Sequence, residues 1–163
     1  MGVTVTVVQC SSGSSSHTSA PPTSPGVTTT SAVVVPAALT KGHQRLANVQ
    51  GIDLDTGQVE DQNQPGADVS PSNSADLLNA MSDGAARFAP PAEQADAPNA
   101  YSRCRAVPSG SWAKTFPNLP SRHIGDIVCV RTDQSNLSAL TLTHIPSAAE
   151  RYVEFDFITW QDR

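Results

Sequence analysis

The chain has 163 residues, a formal net charge of −5 and only 15% charged residues, a length that allows one domain plus a tail. Its ten Lys and Arg are scattered singly, which excludes the basic footprint that phosphate neutralisation demands of a nucleic-acid binder. The same scatter excludes a polybasic patch for an anionic membrane surface, leaving an N-terminal anchor as the one route to a membrane.

Residues 1–10, MGVTVTVVQC, are apolar but carry no Lys or Arg. They are too short for a signal-peptide core with its flanks or for a membrane span. Lipidation of Cys10 is one reading, opposed by Gln9 where a small residue is needed. The start also fits the N-myristoylation pattern through Thr6, in a chain that otherwise does not look cytosolic. The reading adopted is the trailing end of an export or anchoring segment that begins upstream. Residues 11–43 follow as a linker. Through Thr40 they are mostly Ser, Thr, Pro and Gly, with no aromatic and no charged residue. Such a segment cannot offset a backbone entropy of about 1–2 kcal/mol per residue, so it is expected to be a disordered tether.

The domain is expected over residues 44–163, since all four Phe and both Trp lie at or beyond Phe88. Val49–Leu54 reads as a short strand closed by the turn Asp55-Thr56-Gly57, and a brief strand is expected near Ala67–Val69. The stretch from Ser74 to Phe88 has two readings. Ser74 could cap a helix through Leu77, Leu78 and Met81 that ends at Gly84. Two short strands, near 76–78 and 85–88, fit nearly as well. A turn of helix or extended chain then reaches Cys104.

The last forty residues are the strongest signal. DIVCVRT and LSALTLTHI are β-branched runs split by DQSN, which predicts an antiparallel hairpin. RYVEFDFITW alternates, with Val153, Phe155, Phe157 and Thr159 on one face and Tyr152, Glu154, Asp156 and Ile158 on the other. The resulting three-stranded unit needs a second layer to cover its apolar face. The fold class expected is therefore mainly β, a small antiparallel β-sandwich.

Of the three cysteines, Cys104 and Cys129 fall in the domain. They lack the C-x-x-C or nearby-histidine spacing of a metal site. A reactive thiol needs a base and a low-pKa setting, whereas Cys129 sits between Val128 and Val130 in a strand. Two readings remain, a pair of buried free thiols and a Cys104–Cys129 disulfide. The disulfide is favoured. It would close a loop of about 25 residues, stabilise by about 3–4 kcal/mol and imply an oxidising, extracytoplasmic compartment.

GDIVCVRTDQSNLSALTLTHI followed by YVEFDFITW resembles the C-terminal extracytoplasmic module of many actinobacterial membrane-anchored and secreted proteins, some of which carry a serine/threonine kinase at the other end. Gly125, Cys129, Arg131, Thr132, Ala139, Leu140, Thr159 and Trp160 match its recurrent shape. GIDLDTG, the Ala67-Asp68 step and Tyr101 with Cys104 also fit, while Ser135 stands where the module has a glycine. The resemblance covers about residues 49–160, with only the last forty specific. It implies a secreted β-domain with a disulfide and no established catalytic residues.

Other chemistry weighs against specific spacings. Asp55-Thr56-Gly57 is the aspartic-protease tripeptide, but that chemistry needs a second aspartate motif, and Gln58 follows where a small apolar residue belongs. Asp53, Asp55 and Gly57 hint at a calcium loop, yet Gln64 occupies the position of the bidentate acid. A looser Ca²⁺ set of Asp53, Asp55 and Asp68 is the alternative to a plain turn. No G-x-S-x-G occurs, and His17, His43, His123 and His144 are spread out, although His123 and His144 could meet across the hairpin. Arg122 and Arg131 could pair with Asp126 or Asp133 at little gain. Asn136-Leu137-Ser138 is a glycosylation sequon, meaningful only in a eukaryotic secretory host. Tyr101 and Trp112 could form an exposed ligand platform, or pack in the core.

The expectation is an extracytoplasmic, non-enzymatic interaction or sensory module at a bacterial cell surface, with no catalytic residues, no metal and no cofactor. Its partner would be cell-wall material or another envelope protein. A structural spacer or cap domain is the alternative, and a small secreted hydrolase the third reading.

Overall fold

The computed structural model describes residues 34–62, 64–81, 85–93, 99–147 and 149–162. The expected anchor segment 1–10, the linker as far as residue 33 and Gly84 lie outside them.

The alternation in RYVEFDFITW produces an interior strand of one sheet, Tyr152–Trp160, with Val153, Phe155, Phe157 and Thr159 buried. In chain order the strands are β1 (Ala38–Ala47), β2 (Gln50–Ile52), β3 (Val59–Asp61), β4 (Val69–Pro71), β5 (Leu78–Ala80), β6 (Arg87–Ala89), β7 (Thr115–Phe116), β8 (Ile127–Arg131), β9 (Leu137–His144) and β10 (Tyr152–Trp160). One short helix, α1, spans Ala100–Arg105. The strands form two five-stranded sheets, ordered β1-β10-β9-β8-β6 and β3-β2-β4-β5-β7, with antiparallel pairing throughout. Apolar residues from both sheets, among them Leu46, Ile52, Val69, Leu78, Val128, Leu140 and Phe155, meet in one core. The fold is therefore the expected β-sandwich.

Two boundaries differ from the sequence reading. Residues 38–43, assigned to the linker, form the first part of β1 and pair with β10 from Trp160 to Asp156. Nothing in ALTKGH advertises a strand, because its partners lie more than a hundred residues away and its side chains are largely exposed. The pairing also exploits Gly42, where a Cβ would stand only 3.0 Å from Cε1 of Phe157. The bare backbone lets that ring lie flat against β1. Between Ser74 and Phe88 the two-strand reading holds, as β5 and β6 in different sheets.

Cys129 answers to strand geometry. Val128 and Val130 enter the inter-sheet core, so the cysteine between them projects from the outer face of its sheet. There it is bonded to Cys104 of α1, with the two Cα atoms 5.3 Å apart. Asn99 caps that helix by accepting the N–H of Ser102 through its side chain. A second apolar cluster forms beneath the helix from Tyr101, Val107, Leu137, Ala139 and Trp160. Tyr101 is fully buried edge-on against Trp160 at 5.3 Å, so it cannot serve as an exposed platform. Trp112 is half-buried, with the Arg131 guanidinium 4.9 Å from its ring centre.

Candidate functional site

Two polar constellations stand out, one buried at an end of the sandwich and one open on its outer face. The buried one begins in the β2–β3 turn. Asp53 shapes that turn by accepting the N–H groups of Asp55 and Thr56 on Oδ1, at 2.8 and 3.2 Å, and the Thr56 hydroxyl on Oδ2 at 2.8 Å. Gly57 completes it at a φ of +78°, a conformation that a side chain disfavours. The turn swings Asp55 inward, where only 6% of the residue is exposed. Asp68, just before β4, is fully buried. One carboxylate oxygen from each of Asp53, Asp55 and Asp68 lies within 4.8 Å of the others.

The cluster ties the sheets together. Asp68 accepts the N–H of Leu54 on Oδ2 at 3.0 Å and the N–H of Asp133, in the β8–β9 turn of the other sheet, on Oδ1 at 2.7 Å. Asn136 of the same turn donates its amide to Asp55 Oδ1 at 3.0 Å. The Leu54 carbonyl accepts the hydroxyls of Thr40 and Thr159 at 2.5 and 2.7 Å. Ser135 holds the β8–β9 turn at a φ of +66°, the left-handed conformation that glycine favours. Asn136 is the sequon residue, and its buried amide nitrogen is already engaged. Attachment of a glycan there would require the clasp to open.

Burial pushes the Asp68 carboxyl up to about 7, against the opposing effect of its two backbone N–H donors. Burial also raises Asp55, with Asn136 and the Thr132 hydroxyl working the other way. The neighbouring charges that act on the pair, Asp53, Asp55 and Asp133, are all negative. An aspartic-protease role for Asp55 has no support in this geometry. Its aspartate neighbour Asp68 has no exposure and spends both oxygens on backbone donors, out of a substrate's reach. Chemically, the set offers hard oxygen donors of the kind that hold Ca²⁺ or Mg²⁺.

The open constellation lies on the outer faces of β1, β10 and β9. His43 bridges Asp156 at 2.9 Å and Glu154 at 3.1 Å, and its hydrogen bond to Asp156 is the main cause of its raised pKa. Tyr152 is flanked by the Arg45 guanidinium at 3.7 Å and by the stacked His144 ring at 5.0 Å. Glu150 accepts from the Ser147 N–H, the Tyr152 hydroxyl and His144. The Ser147 N–H, the largest of these influences, helps lower its carboxyl to about 2. His144 is thus committed to Glu150, whereas His123 is exposed beside Asp126, and their suggested meeting across the hairpin is replaced by these two pairings. Arg122 stands over the Phe116 ring at 4.5 Å. Between β1 and β9 the surface dips into a shallow depression of about 520 Å³, lined by Lys41, His43, Ala139, Thr141, Asp156 and Ile158.

These groups are expected to place the stability maximum at acidic pH. The folded Asp68 and Asp55 hold their protons above their ordinary 3.8, so unfolding releases protons and stability falls as pH rises toward 7. His43 acts in the same direction, contributing below its ordinary 6.5 and losing that contribution as pH rises through its raised value. Glu150 contributes above 4.5 and loses its effect toward 2. In chelator-treated buffer, urea midpoints are expected to peak near pH ~5 and to fall by pH ~7.5, with Asp68 contributing on the order of 2–3 kcal/mol. A stability maximum at or above pH ~7 would contradict the buried-carboxyl assignment.

No family model, curated protein or solved structure matches the chain. Among the described residues, no helix is long and apolar enough to cross a membrane.

Proposed function

We propose that the chain is an extracytoplasmic, non-enzymatic interaction module, displayed at a bacterial surface and directed at cell-wall material or another envelope protein. The depression between β1 and β9 carries this reading. It combines a cation, Lys41, a hydrogen-bonding set of His43, Asp156 and Thr141, and the half-exposed apolar side chain of Ile158. An open, shallow strip of that composition suits an extended polymer or a peptide segment better than a small substrate that must be enclosed. Among the described residues, His43, His123 and His144 pair with carboxylates and none is hydrogen-bonded to a serine, threonine or cysteine nucleophile, which favours binding over nucleophilic catalysis. The Cys104–Cys129 disulfide supports the oxidising compartment. The likeness of the last forty residues to the actinobacterial module supports an envelope setting.

The test is retention of the oxidised chain on isolated cell-wall fractions and on immobilised envelope proteins. Wild type is expected to be retained by one of them, and the surface variant K41A/D156A to lose at least about tenfold of that affinity. Both positions lie on the sheet surface, so their loss leaves the core intact. Retention by no fraction would overturn the interaction reading. That outcome would favour a structural spacer, a role suggested by the way His43, Glu154 and Asp156 already satisfy one another.

A further inference from the structure

We propose that Asp53, Asp55 and Asp68 bind one Ca²⁺ ion, which clasps the β2–β3 turn and the approach to β4 against the β8–β9 hairpin. The proposal is independent of the surface strip and of any partner bound there.

Three carboxylates converge with donor oxygens within 4.8 Å of one another, and the charges around them are also negative. Hydrogen bonds account for most of their oxygens. Both oxygens of Asp53, both of Asp68 and Oδ1 of Asp55 each accept at least one N–H or O–H. Asp55 Oδ2 is the exception. It is sealed from solvent, and among the described residues no group completes a hydrogen bond to it. A buried carboxylate oxygen without a donor carries a desolvation cost that folded proteins normally relieve with a partner. Here every nearby side chain that could relieve the charge is neutral or an acid. A proton relieves that oxygen at acid pH, and once the group ionises the partner we assign to it is an external cation.

The donor set selects the ion. It contains oxygen only, with no imidazole and no thiolate, which suits hard cations and not Zn²⁺ or Cu²⁺. Ca²⁺ accepts irregular carboxylate geometry at about 2.3–2.6 Å, so donors on opposite sides of it stand up to about 5 Å apart. Mg²⁺ holds its ligands at about 2.0–2.1 Å in a strict octahedron and keeps several waters, which a cluster with two buried aspartates does not accommodate. The half-exposed Asp53 supplies the path to solvent. Bound there, the ion ties together segments that already share hydrogen bonds between the two sheets, namely Asp68 with the Asp133 N–H and Asp55 with Asn136.

The experiment uses the full oxidised chain, stripped with chelator and held at pH ~7.5 and constant ionic strength. Calorimetric titration with CaCl₂ is expected to give one site, with a Kd on the order of 10⁻⁴–10⁻³ M. MgCl₂ should bind at least about tenfold more weakly. In about 10 mM CaCl₂ the Tm should rise by about 5 °C or more. Asp55→Asn keeps the acceptor that Asn136 uses and removes the unpartnered anionic oxygen. It should fold, lose the calcium heat and lose the calcium-dependent Tm shift. Asp53→Asn, at the half-exposed ligand, should weaken calcium at least tenfold and serves if Asp55→Asn does not fold. Absence of calcium heat in the wild type overturns the proposal. So does an equal response to MgCl₂ or NaCl, which would mean charge screening, and so does calcium binding undiminished in both variants, which would place the ion elsewhere.

Discussion

Reducing the Cys104–Cys129 bridge is expected to remove about 3.5 kcal/mol of folding stability. The two cysteines are 25 residues apart, and in the chain-entropy account a closed loop of that size restrains the unfolded chain by about that amount. The folded state should suffer too. Helix α1 has only six residues, far below the length at which a helix persists in water by itself. It is held by the bond to β8 and by the cluster of Tyr101, Val107, Leu137 and Trp160. Urea unfolding of the oxidised chain, the reduced chain and a Cys104→Ala/Cys129→Ala variant measures the effect. The midpoint should drop by about 2 M in both states that lack the bridge. The Trp160 fluorescence should shift as Tyr101 loosens from it. An unchanged midpoint would mean that strand pairing and core burial alone hold α1 in place, and the bridge would lose its structural role.

Phe155→Ala should cost about 3–5 kcal/mol, the range for emptying a fully buried aromatic site. Phe155 has no exposure and sits in the middle of β10, opposite Gln44 of β1 and Leu142 of β9, facing the second sheet. Its hole would be walled by strands of two sheets that cannot collapse far without breaking their hydrogen-bond ladders. Ile158→Ala, on the outer face of the same strand and half-exposed, should cost less than about 1.5 kcal/mol, in keeping with its partial burial. The ratio of the two reads out the face assignment of the strand. Equal costs would show that the alternation does not separate core from surface.

The alternation is why so much of one sheet was legible. In β10 a period of two puts Val153, Phe155 and Phe157 on the face toward the second sheet and the charged Glu154 and Asp156 on the other. The β8–β9 hairpin was legible for a similar reason, since two β-branched runs flank a polar turn. Even the departure at Ser135 proved informative. The turn keeps the left-handed residue that a glycine would normally supply, now at a φ of +66°. Relieving it with Ser135→Gly should be close to neutral, because strain removed from the turn is offset by entropy given to the unfolded chain.

The candidate sites were less legible, and for different reasons. Asp53, Asp55 and Asp68 could be grouped as oxygen donors from their spacing, but spacing carries no burial. Only the fold shows that two of them are out of water, that Asp55 Oδ2 lacks a donor, and that the β8–β9 turn supplies the remaining contacts. The outer-face strip left no local signal, because it combines His43 with Glu154 and Asp156 across 111 and 113 residues.

By itself, then, the sequence determined the β class, the faces of β10 and the hairpin, and it favoured the pairing of the two domain cysteines that the structure contains. Each depends on local periodicity or on a count of available partners. Tertiary structure alone decided that 38–43 is a strand, that Tyr101 of α1 is buried, and that the buried Asp55 and Asp68 meet the half-exposed Asp53. Those outcomes rest on contacts between distant segments, whose free energy comes from excluding water between sheets and has no counterpart in the order of neighbouring residues.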